Sequence, residues 1–197
     1  MILLKFILPL LLIINHNSVL GQKCKNLKDE LDPFTNKRII MSKGFSLSAI
    51  EIDNTKPQIN GQFIFENDIT FLQLASSIIF AGGGLSSPTE RSKDLVDIKL
   101  NDYISFKFEG LEKIIKKYPM QESKSTEQMV SGTYYLHSYS KYVFTKDELM
   151  MFALNKIERI RISKNNENNN FDYQMVSDNK KEKVITDTRC FISALNN

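Results

Sequence analysis

Apolar and polar residues alternate over a series of short windows in this chain, the spacing expected of strands that cover one face. Residues 38–43 and 46–53 read as the first two, and residues 62–66 with 69–74 read as a hairpin turning over Asn67 and Asp68. A two-residue loop there would set Phe65 opposite Thr70. A three-residue loop over 66–68 sets Phe65 opposite Ile69 and Phe63 opposite Phe71, keeping one face apolar, so this second register is predicted. The same reasoning predicts a hairpin over 94–108, with a loop at 101–103 pairing Leu100 with Ile104, Ile98 with Phe106 and Val96 with Phe108. Residues 111–117 fit a strand or a short helix, 119–132 a polar connection, and 133–144 a tyrosine-rich strand or strand pair.

The period then changes. Thr145 followed by Glu148 is a capping box, and Leu149, Phe152 and Ala153 continue at helical spacing, which predicts a short helix near 146–156. Residues 157–163 and 171–176 flank the polar run KNNENNN and predict a late hairpin. Val184, Thr188, Phe191, Ile192 and Leu195 share one stripe of a C-terminal helix near 178–195. The fold class that follows is α+β, a mainly antiparallel β-sheet built from hairpins with these two helices. Its single core is predicted to contain Phe63, Phe65, Phe71, Ile98, Phe106, Phe152, Ile160 and Leu195.

Residues 1–21 have a different character. Lys5 precedes an apolar stretch over 6–14, and Val19-Leu20-Gly21 offers modest side chains where a signal peptidase reads, so cleavage before Gln22 is expected. A membrane anchor needs about 20 apolar residues, whereas this run gives out at Asn15, His16 and Asn17. Gln22 and Lys23 are also unsuited to lipidation at Cys24. Residues 22–197 are therefore expected to form one secreted or periplasmic globular domain, with no membrane span once the signal is removed. In that compartment Cys24 and Cys190, the only two cysteines, are expected to pair, and a bridge over so long a loop contributes about 4–5 kcal/mol in the chain-entropy model. The net charge of +3 arises from 26 basic and 23 acidic residues interleaved along the chain, which argues against nucleic acid as a partner.

The early cysteine, KDELDPFTNKR, the later YVFTKDELMMFALNKIERIRIS and the cysteine in a terminal helix together resemble a group of secreted proteins common in the Bacteroidota. The resemblance is strongest over 142–163, weaker over 24–38 and diffuse between. It implies an exported α+β domain and carries no catalytic residue with it.

Candidate chemistry is sparse. Ala81-Gly82-Gly83-Gly84 lacks both the G-x-S-x-G elbow of an esterase and the Gly-Lys-Ser or Gly-Lys-Thr of a phosphate loop, and reads as a connection after a strand. Asp29, Glu30 and Asp32 fail the spacing of a calcium loop, KNNENNN supplies mostly amide oxygens, and Asp94, Asp97 and Glu109 would need a cleft to act as paired carboxylates. No metal and no cofactor are expected. His137 is the only histidine after residue 21; its neighbour Ser138 points to the opposite face of a strand, and Ser140 is the other serine nearby. If 133–143 is one strand, Tyr135, His137, Tyr139 and Lys141 share a face. Such rings stack on a sugar or receive a peptide, though tyrosines also populate ordinary solvent-facing sheets. The function predicted is a non-catalytic exported binding or structural-interaction module whose ligand is a glycan or peptide. The alternative is a small secreted hydrolase using His137.

Overall fold

The computed structural model of the chain describes residues 24, 27–49, 57–80, 90–131, 133–164, 169–175 and 177–197. The expected signal segment 1–21 and the glycine run 81–84 lie outside them. In chain order the elements are β1 (Lys28–Leu31), β2 (Arg38–Met41), β3 (Phe45–Ala49), β4 (Gln58–Glu66), β5 (Ile69–Phe80), α1 (Glu90–Val96), β6 (Tyr103–Phe108), β7 (Ile114–Lys117), β8 (Thr126–Val130), β9 (Thr133–Val143), α2 (Lys146–Leu154), β10 (Ile157–Lys164), β11 (Asn169–Gln174) and α3 (Asp178–Leu195). The strands form one sheet in the order β7-β6-β10-β11-β3-β4-β5-β9-β8, with β2 also on β4 and β1 on β2. The pairings are antiparallel, so the α+β expectation holds.

Strands β2 and β3 share one edge of β4, and Ser42 fills the break between them. Its amide donates to the Phe63 carbonyl and its hydroxyl accepts from the Phe63 amide at 2.9 Å. Next along that edge Phe45 stands opposite Gly61, and its ring occupies the space a β-carbon at Gly61 would need.

The β4–β5 hairpin corrects the predicted register. Phe65 pairs with Thr70 and Phe63 with Leu72 across a two-residue loop in which Asn67 and Asp68 have φ of 52° and 62°, the left-handed pair of a type I′ turn. Phe63 and Phe71 therefore point to opposite faces. The assumption that only one face is apolar fails here, because Ile64 and Phe71, on the outer face, are buried as well. The predicted hairpin over 94–108 is also replaced. Residues 90–96 are helical, Ile98 bridges to Ser123, and β6 pairs instead with β7 and β10. Within the segment read as a polar connection lies an edge strand, β8, which pairs with β9. The capping box on α2, the β10–β11 hairpin and α3 stand as expected.

Phe152 of α2 lies at the centre of the core. Its ring is 5.2 Å from Phe63 on β4, and 4.9 and 5.1 Å from Phe106 and Phe108 on β6. Strands β4 and β6 are four steps apart in the sheet, about 19 Å if it were flat. The sheet therefore curls around α2, with α3 packed beside it and Phe191 stacked near Phe63. Of the predicted core, Phe63, Phe106, Phe152 and Ile160 are buried together, and Phe65 and Leu195 pack at its margin. Phe71 belongs to the outer face. A smaller cluster of Ile78, Val96 and Leu136 seats α1 on β5 and β9, on the inner side like the other helices.

The disulfide is present. Cys24 and Cys190 are bonded with their Cα atoms 5.6 Å apart, tying the start of the described chain to α3.

Candidate functional site

Thr133–Val143 is a single eleven-residue strand, so Tyr135, His137, Tyr139 and Lys141 do share one face, the one opposite the helices. Each is positioned by a registered neighbour on β5: Tyr135 opposite Ile79, His137 opposite Ser77, Tyr139 opposite Ala75 and Lys141 opposite Gln73. On the other side His137 faces Thr126 and Tyr135 faces Gln128 of β8. The His137 and Tyr139 rings meet edge to face at 5.8 Å, and Tyr139 is 55% exposed. Ala75 and Ser77 are short, so these rings stand as a ridge beside a low floor. Ile79 and Val143, both exposed, extend the apolar character along the same face.

Lys141 is differently engaged. Its ammonium lies 4.2 Å from the centroid of the Phe71 ring and 3.7 Å from Glu66 Oε2. That contact helps to bury Phe71 on an otherwise open surface, and it separates Lys141 from the ring ridge.

A nucleophile-base arrangement does not assemble around His137 among the described residues. Ser138 lies on the inner face, buried, and donates to the Val96 carbonyl at 2.7 Å, while Ser140 is buried on that same side. Ser77 is the serine registered with His137, and among the described residues no carboxylate bonds to the imidazole. No group of three potential metal ligands occurs among the described residues. The acidic candidates are held apart: Asp29 pairs with Arg38, Glu30 with Lys28, and Asp32 Oδ1 accepts from the Phe34 and Thr35 amides. Asp97 accepts from the Ser125 amide, and Glu109 pairs with Lys181 of α3.

The buried ionisable group that the sequence did not signal is Lys164, at the end of β10. It is only 4% exposed and its ammonium donates to the backbone carbonyls of Asp94, Leu95 and Asp97 at the C-terminus of α1. Burial pulls its pKa from 10.5 to about 8, against the opposing fields of Asp102, Asp97 and Asp94. With its donors turned to carbonyls, this lysine closes a helix. Asp102, also buried, accepts from the Lys99 amide. Nearby Tyr142 is fully buried with no hydrogen-bond partner for its hydroxyl among the described residues, and burial raises its pKa to about 12.

No family model, no curated protein and no solved structure matches this chain. Among the described residues no helix is long and apolar enough to cross a membrane.

Proposed function

We propose that the protein is an exported, non-catalytic binding module that holds a glycan or an extended peptide on the outer face of β9. The observation that carries this reading is the ring ridge of Tyr135, His137 and Tyr139 beside the low floor of Ala75 and Ser77. Flat rings with polar tips supply contact area at small entropic cost, and the short floor leaves room for a ligand ring or backbone to lie against them. The Cys24–Cys190 bridge supports an oxidising compartment, secreted or periplasmic, in keeping with the signal-like residues 1–21. The engagement of Ser138 with Val96 supports binding over hydrolysis.

Glycan and peptide arrays probed with wild type and with the double variant Tyr135→Ala/Tyr139→Ala test the reading. Each stacked ring contributes about 1 kcal/mol, so the double variant should bind at least about tenfold more weakly while its circular dichroism is unchanged. Ligands kept equally by both proteins would remove this face. Turnover of an ester or glycoside that His137→Ala abolishes would establish the hydrolase instead.

A further inference from the structure

A second depression lies on the outer side of β6, β7 and β10, on strands other than those that build the ring ridge. Ser105 lies at its base because its side chain is short and those around it are long. Lys107 follows two positions along β6, Arg161 stands directly opposite Ser105 on β10, Arg159 stands opposite Lys107, and Ile114 of β7 faces Lys107 from the other side. A β-bulge between Ile157 and Arg159 brings Glu158 to the rim. The cleft so formed has a volume of about 220 Å³, several times the roughly 30 Å³ share of a liquid water molecule.

The charges around it are unbalanced. Three cations and the Glu158 carboxylate line the cleft, and with Asp172 of β11 behind the two arginines the cluster keeps one excess positive charge; two of the cations, Lys107 and Arg159, are cross-strand partners, a like-charge pairing that opposes folding. The cations are also held. Asp172 on β11 grips Arg161 through Nε and Nη2 at 2.7 and 2.8 Å, and Glu158 holds Lys107 at 2.9 Å. Arg159 is secured least, its Nη1 standing 3.8 Å from Asp172. Neighbouring positions on this lattice are about 5 Å apart across strands and about 7 Å along one. A group with several oxygens can therefore touch two or three of these donors at once.

We propose that this cleft binds a tetrahedral oxyanion, the sulfate or phosphate group of a larger ligand, with Arg159 and Arg161 as planar N–H donors, Lys107 as a point charge and the Ser105 hydroxyl at the base. Guanidinium groups match oxyanion geometry through paired N–H bonds, and prior fixation by Asp172 reduces the ordering needed at Arg161. Glu158 repels the ligand and so sets an upper limit on affinity.

Calorimetric titration of the disulfide-bonded protein with inorganic phosphate, inorganic sulfate, a sugar monophosphate and a sulfated disaccharide tests this. Saturable binding is expected, and the tighter of the two sugar probes identifies the source of the oxyanion. Arg159→Ala should weaken it about tenfold, equivalent to ~1.4 kcal/mol. Glu158→Gln, which removes a charge but no cation, should tighten it. Lys180→Ala changes net charge as much as Arg159→Ala but lies on α3, and it should have no effect. Tyr135→Ala/Tyr139→Ala should likewise bind these probes as wild type does, which keeps this test separate from that of the ring ridge. An absence of saturable binding by every probe, equal losses in Arg159→Ala and Lys180→Ala, or no gain in Glu158→Gln would overturn the proposal.

Discussion

Lys164 makes the stability of this fold depend on pH in a direction opposite to that of most lysines. In the folded chain its pKa is about 8, whereas the unfolded chain keeps the ordinary 10.5. Between those values the unfolded state binds more protons, so stability must rise with pH across that window. Below about 8 the cost of holding a buried ammonium is present in full, and it is relieved as the pH climbs towards 10.5. From pH 7 to about pH 9.5 the linkage integral amounts to about 2 kcal/mol. The groups that face this amine are Asp94, Asp97 and Asp102, which favour the charged form, and Lys99, which opposes it; burial outweighs them. The assay is urea unfolding followed by far-ultraviolet circular dichroism, since the chain has no tryptophan, for wild type and Lys164→Met at both pH values. Wild type should gain about 2 kcal/mol relative to the variant, whatever the variant's stability at pH 7. The buried tyrosines titrate higher and are common to both proteins, so they cancel. Parallel pH profiles would refute the reasoning. Should Lys164→Met not fold, the side-chain ¹⁵N resonance of Lys164 in wild type gives the same answer: a midpoint near 8 is expected, and one at 10 or above would refute it.

Phe152→Ala should cost about 3–5 kcal/mol, towards the upper end because rings on β4 and β6 and at Phe144 surround the cavity and cannot all collapse into it; a urea midpoint equal to wild type would contradict the curled sheet described above. Reducing the Cys24–Cys190 bridge, which spans a sequence separation of 166, should lower stability by about 5 kcal/mol in the chain-entropy model, to be read as the difference between urea curves with and without reductant.

The elements legible in the sequence are those whose burial pattern is local. The helices α2 and α3 carry an apolar stripe and, at Thr145, a capping box, and the structure keeps both. Strands β1 and β8 escaped detection because every residue in them is exposed, so their edge positions leave no alternation to read. Residues 94–100 alternate as a strand would, yet their first part closes α1, where Val96 is buried against Ile78 and Leu136. The hairpin register turned on Asn67 and Asp68, whose tolerance of left-handed backbone outweighed the tidier apolar face. Least legible were the helix ends. Neither α2 nor α3 has a basic residue in its last turn, yet Arg189 donates to the Ala153 carbonyl at 2.7 Å and Arg38 to that of Ala194 at 2.9 Å, just as Lys164 closes α1. Each cation arrives from elsewhere in the chain, so helix-end rules applied along a window could not find it. The ring ridge on β9 followed from strand periodicity alone. The cleft around Ser105 did not, because it depends on which strand lies beside β6.

The bond between Cys24 and Cys190 also decides how the molecule meets tension. A force pulling the chain apart at points before Cys24 and after Cys190 travels from one Sγ to the other and on through the last turns of α3. The sheet, α1, α2 and the clefts on the outer faces all belong to the closed covalent loop, so the load reaches them only through the contacts of residues 191–195, such as Phe191 with Phe63 and the Ala194 carbonyl with Arg38. Stretched in this way, the protein transmits the pull like a short tether, and the surfaces that we assign to ligands keep their shape.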